Sequence, residues 1–98
     1  MSDVELYVSI VSVWEVAIKV STGKFEFNLT SSDLFRKLKD NKLTLLNMLP
    51  RHVECVETLP FHHRDPFDRL LIATAKRENM IFLTSDMNIH QYAITCIW

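Results

Sequence analysis

Apolar positions along this chain fall into short runs of two alternating kinds. Residues 6–11 (LYVSIV) are rich in β-branched side chains, with Val8, Ile10 and Val11 apolar, and predict a buried strand. Helix is predicted from Ser12. Ser12-Val13-Trp14-Glu15 reads as a capping box in which the hydroxyl takes the Glu15 N–H and Glu15 reaches back. This helix continues through residues 16–20 and stops near Gly23, the only glycine. Residues 24–29 read as a connector. Residues 30–32 cap a helix through about Asp40, with Leu34, Phe35 and Leu38 inward and Arg36, Lys37 and Lys39 on a solvated face. Residues 43–46 with Met48 predict another strand. Pro50 then opens a short helix to about Thr58, using Val53, Val56 and Leu59 as its apolar side.

The longest patterned stretch is 62–75, HHRDPFDRLLIATA. An Asp directly before a Pro is a preferred N-cap, and Pro is pre-organised for the first helical position. Helix is therefore predicted from Pro66 to about Asn79, with Phe67, Leu70, Leu71, Thr74 and Ala75 inward. Residues 80–84 (MIFLT) are too short for a helix and read as a buried strand ended by Ser85 and Asp86. A helical turn at 88–92 and a strand over 93–98 complete the chain. Strands alternating with helices predict one domain over residues 1–98 of the α/β class, a three-layer α/β/α arrangement with a mainly parallel sheet and right-handed crossovers.

Charge adds little pull toward any partner. Eleven Lys and Arg face twelve Asp and Glu, a net charge of −1, so any nucleic-acid binding needs a local patch. Two cysteines, Cys55 and Cys96, are too few for a disulfide scaffold and read as free thiols of a reducing compartment. With no signal-peptide pattern and no apolar run of membrane-spanning length, a cytoplasmic location away from the membrane is expected.

The acids change the picture. A helix that feeds a strand runs antiparallel to it, so Asp65 and Asp68 at the helix start share a sheet edge with Asp86 at the strand end. That edge is where open α/β sheets place their sites. Glu15, in the first turn of a helix that follows a strand, falls on the same edge if the strands are parallel. Carboxylates this close repel by about 4 kcal/mol near a protein surface unless a proton, a cationic side chain or a divalent cation joins them. All-oxygen ligation suits Mg²⁺ or Mn²⁺, and no Cys/His spacing here resembles a zinc site. Such a cation points to phosphate chemistry, with Lys19, Arg64 and Arg69 as contacts for substrate phosphates. Each acid also has a structural reading. Asp65 is a helix cap, Glu15 closes a capping box and pairs with Lys19, Asp68 is favoured by the helix dipole, and Asp86 is a turn residue. His62 and His63 read as loop surface, and Trp14 and Trp98 as core or interface.

The stretches SIVSVWEVAIKVSTGKFEF at 9–27, LPFHHRDPFDRLLIATA at 59–75 and IFLTSDMNI at 81–89 together resemble VapC-type toxins of the PIN-domain family. The resemblance implies a PIN-like fold and a Mg²⁺- or Mn²⁺-dependent endoribonuclease. It further implies a homodimer inhibited by a small antitoxin. Glu15, Asp68 and Asp86 then match the family's second, third and fourth acids, Thr84 its supporting hydroxyl, and Asp65 a supporting position. The family's opening strand, which carries the first acid, has no counterpart in this sequence. An N-terminally truncated member is therefore expected, as a dimer or larger assembly with exchanged elements. The alternative is a catalytically impaired toxin that acts only as a dimerisation or antitoxin-binding module. A basic rim of Lys19, Lys24, Arg64 and Arg69 is the expected RNA contact.

Overall fold

Ser9 ends the first strand and opens the first helix. The structure, a computed structural model, describes residues 5–24, 28–83, 90–92, 94, 96 and 97. It divides into two compact units, Met1–Asn47 and Met48–Trp98.

In the first unit, β1 (Tyr7–Ser9) is followed by α1 (Ile10–Ser21), α2 (Ser31–Asp40) and β2 (Thr44–Leu46). β1 pairs with β2 in parallel, Tyr7 opposite Thr44 and Ser9 opposite Leu46. Parallel neighbours need a crossover, which the helical segment between them supplies. The Ser9 backbone is extended and its hydroxyl accepts the Val11 N–H at 3.0 Å. α1 therefore starts before Ser12, and the expected capping box at 12–15 does not form. Val11 and Val13 are the buried residues of α1. β-branched side chains at 8, 10 and 11 favour strand locally, but Ile10 and Val11 are helical, so context overrides propensity. Trp14 is 56% exposed rather than core.

Thr30 caps α2 as expected, and it does so through a capping box with Asp33. Its hydroxyl accepts the Asp33 N–H at 3.2 Å, and the Asp33 carboxylate accepts the Thr30 N–H at 3.0 Å. The Thr30 backbone N–H first, and the Thr30 hydroxyl beside it, hold the Asp33 carboxyl below its ordinary range, helped by the charge of Arg36. The inward face expected for α2 is shallow. Leu34 and Leu38 are half-buried and Phe35 is exposed.

Both helices of this unit stop in the same way. At the end of α1 the Lys24 N–H reaches Lys19 O at 2.9 Å and the Gly23 N–H reaches Val20 O, with Gly23 at φ +71°. At the end of α2 the Leu43 N–H reaches Leu38 O at 2.9 Å and the Lys42 N–H reaches Lys39 O, with Lys42 at φ +57°. These are Schellman closures, which need one left-handed residue each.

The second unit contains α3 (Pro50–Val56), α4 (Pro66–Glu78), β3 (Phe82–Leu83) and β4 (Cys96–Ile97). β3 and β4 pair in parallel, so every strand pairing among the described residues is parallel. α3 packs on α4. Leu59, Ile72, Ala73 and Tyr92 form the core, with Cys55, Val56, Phe82, Ile94 and Cys96 packed against it. Both cysteines are free thiols, and burial pushes the Cys96 thiol up.

α4 begins and ends where the sequence predicts, within one residue, and closes with Asn79 in the left-handed conformation. Its inner face differs. Arg69, Ile72, Ala73, Thr74 and Ala75 are buried, whereas Phe67, Leu70 and Leu71 are only half-buried. Arg69 occupies the inward stripe, with Ile72 and Ala73 at i+3 and i+4. In α3 the buried residue is His52, while Val53 is 55% exposed. No helix among the described residues is long and apolar enough to cross a membrane.

Candidate functional site

The start of α4 collects the chemistry of the second unit. Asp65 is the N-cap. Its Oδ1 accepts the N–H groups of Phe67 at 2.8 Å and Asp68 at 3.3 Å, satisfying two donors that the helix cannot pair internally. Pro66 takes the first helical position, where its missing N–H costs nothing. Asp68 follows in the first turn, with its side chain 30% exposed.

His63 reaches this carboxylate. Its Nε2 lies 3.1 Å from Asp68 Oδ2, and its side chain is 15% exposed. The other ring nitrogen is also engaged, because Nδ1 accepts the Asp65 backbone N–H at 3.0 Å. A backbone N–H can only donate, so Nδ1 carries no proton in this bond. The ring hydrogen then sits on Nε2, and His63 donates to Asp68. The His63 backbone is fixed as well. Its N–H donates to Tyr92 Oη at 3.0 Å, and its carbonyl accepts from Arg69 at 3.4 Å. The His62 ring meets Tyr92 edge-on, 4.9 Å between centroids. His63 is therefore built into the Asp65–Asp68 cluster and is not loop surface. The signal in the sequence is the H-x-D-P-x-D spacing, which sets a histidine two residues before the cap and five before Asp68.

Arg69 differs from its expected place on a basic rim. It is 6% exposed. One terminal nitrogen donates to Pro60 O, His63 O and Tyr92 Oη, and the other to Val56 O and Leu59 O, at 3.0–3.4 Å. Its guanidinium carbon lies 4.0 Å from the centre of the Phe61 ring. A guanidinium committed to five acceptors inside the loop is not placed to meet a phosphate. Its role is to hold the 56–63 segment over α4. Arg64 is exposed beside the cap.

In the first unit Glu15 lies one turn inside α1 rather than in its first turn, and pairs with Lys19 at 3.8 Å. Both side chains are substantially exposed, so this i, i+4 pair contributes little to stability. Thr84 and Asp86 lie outside the described residues.

Among the described residues, no three His, Cys, Asp or Glu side chains come together as a metal-holding group. The donor chemistry at the start of α4 nevertheless suits a hard divalent cation. Asp68 offers carboxylate oxygen and is partly open to solvent. Asp65 Oδ1 is committed to capping and both His63 nitrogens are engaged, so of the three Asp68 is the one whose carboxylate could hold such an ion.

The PIN domain family matches residues 1–94, and the chain belongs to that family. PIN domains are in general metal-dependent nucleases that use divalent ions and act on nucleic acid. No curated protein and no solved structure matches the chain.

Proposed function

We propose that this PIN domain is a Mg²⁺- or Mn²⁺-dependent endoribonuclease of the VapC toxin type. The observation that carries the reading is Asp68, a partly open carboxylate in the first turn of α4, supported from one side by the Asp65 cap. The sequence resemblance assigns the same ligand role to Glu15 and Asp86, and a supporting one to Thr84. A bound cation would polarise a phosphoryl oxygen of RNA and make a bound water a stronger nucleophile. The chain's own part is to hold its acids ready for that ion and to bind the strand through exposed cations, Arg64 and Lys19. The same resemblance supports a homodimer and inhibition by a small antitoxin.

The test is RNA cleavage by the purified chain with Mn²⁺, with chelator, and with Asp68→Asn. Cleavage that needs the ion and falls at least about tenfold in Asp68→Asn is expected. RNA binding should weaken steeply with salt, as phosphate contacts require. Cleavage that survives chelation overturns the metal-dependent reading. Co-purification with a small antitoxin and no cleavage under any condition favours a binding module instead.

A further inference from the structure

The three bonds at the start of α4 form a chain with a direction. The Asp65 N–H donates to His63 Nδ1, and His63 Nε2 donates to Asp68 Oδ2. Asp65 Oδ1 in turn accepts the Asp68 N–H, which closes the circuit through the backbone. Asp65 therefore acts twice. Its side chain fixes where the Asp68 backbone stands, and its N–H fixes which ring nitrogen of His63 bears the hydrogen. We propose that His63 is the positioning residue of the metal site. As the Nε2–H tautomer set by the Asp65 backbone, it grips one oxygen of Asp68 and orients the carboxylate for a divalent cation. This rests on the reading of Asp68 as a metal ligand.

The physical case is one of geometry. A carboxylate on a single-bonded stem rotates about χ2 unless something holds it, and a ligand that must be oriented on binding loses affinity. Carboxylates that hold metals are commonly fixed by hydrogen bonds from outside the ligand set. His63 is well suited because it is itself immobile. Its N–H, carbonyl and both ring nitrogens are all bonded, to Tyr92, Arg69, Asp65 and Asp68. The buried Arg69 thereby reaches the site indirectly, as the anchor of the residue that orients the ligand. Each of these groups belongs to one compact unit.

Two measurements on the full chain decide the matter. Long-range ¹H–¹⁵N spectra of histidine-labelled protein read the tautomer of each ring, with His63 assigned by the signals lost in His63→Gln. Hydrogen on Nε2 and a bare Nδ1 is the expected pattern; hydrogen on Nδ1 alone overturns the proposal. Mn²⁺ calorimetry then compares the natural chain with His63→Asn, His63→Gln and Asp68→Asn. The Asn carbonyl can still accept the Asp65 N–H, but its side chain stops short of Asp68, so affinity should fall about tenfold. The Gln amide reaches toward the Nε2 position, and affinity should recover to within about threefold of the natural chain. Asp68→Asn separates the two ways of failing. If it removes Mn²⁺ binding while His63→Asn binds as the natural chain does, the metal site stands and the positioning role falls. If Asp68→Asn binds unchanged, the metal reading falls and takes this proposal with it. Should His63→Asn fail to fold, His63→Gln decides, because a loss as deep as that of Asp68→Asn rules out orientation by a donated hydrogen.

Discussion

Glu78 Oε2, in the last turn of α4, stands 2.7 Å from Nε2 of His52, a side chain with no solvent exposure. The same oxygen receives the Arg51 Nε–H at 2.6 Å. His52 is built in the same way as His63. Its Nδ1 accepts the Leu49 N–H at 3.0 Å, so its Nε2 carries the hydrogen given to the acid. This second histidine–carboxylate link ties α3 to the far end of α4.

Arg51 first and His52 second hold the Glu78 carboxyl at about 2, well below the ordinary range of glutamate. A carboxylate with a lowered folded-state value contributes stability above its unfolded value, near 4.3, and loses it as pH falls toward 2. Urea midpoints for the natural chain and Glu78→Gln should therefore differ at pH 6 and converge as pH drops from about 4.5 to about 2. A gap that stays constant over that window would show that the acid's charge is not what matters.

Asp65→Ala should destabilise the chain by about 1 kcal/mol, because two N–H groups at the start of α4 lose their acceptor. For a domain of this size that is a fall of roughly 4–8 °C in the melting temperature. Asp65→Asn keeps an acceptor at the cap and should stay within about 0.5 kcal/mol. Equal losses in the two variants would contradict the cap as the source of the effect. Thermal melts followed by circular dichroism suffice.

What could be read in the sequence was local chemistry. Asp65-Pro66 carries its own reason to start a helix, and Thr30 with Asp33 carries another, so both starts are where the residues predict. The start of α1 has two serines able to cap. The choice of Ser9 comes with the pairing of Tyr7–Ser9 to a strand 37 residues away, which no window on residues 6–15 contains. Periodicity misplaced the inner faces of α3 and α4 because it counts polar residues as outward. His52 and Arg69 are inside since their partners, Glu78 for one and the carbonyls of Val56, Leu59 and Pro60 for the other, are distant along the chain or on its backbone. His63 escaped for the same reason. The acids at the candidate site were legible as residue types, but the hydrogen bonds that orient Asp68 were not.

Lys42 offers a stabilising change. It holds φ +57° in the closure of α2, where a Cβ is unfavourable, while the equivalent place in α1 is taken by Gly23. Lys42→Gly should raise stability by about 0.5–1 kcal/mol, the relief at the left-handed position less the entropy that glycine adds to the unfolded chain. Gly23→Ala should do the opposite by a similar amount. Among the described residues nothing lies within 4 Å of a Cβ built at Gly23, so the cost expected there is one of backbone conformation. Urea denaturation of both variants measures the pair, and a loss in Lys42→Gly would contradict the strain argument.

Arg69 separates a structural cation from a substrate contact most sharply. If it met RNA phosphate, Arg69→Lys would keep the charge and the salt dependence and change affinity alone, leaving the fold untouched. The geometry expects the reverse. A lysine ammonium has three donors on a flexible stem and cannot span carbonyls at Val56, Leu59, Pro60 and His63 or lie flat against Phe61. Buried carbonyls left without partners cost about 1–3 kcal/mol each, so Arg69→Lys should destabilise by at least about 2 kcal/mol. The loop that carries His63 should loosen with it, seen as faster exchange of the Asp65 and His63 amide hydrogens. A stable Arg69→Lys chain with native exchange and weakened RNA binding would return this residue to the basic rim.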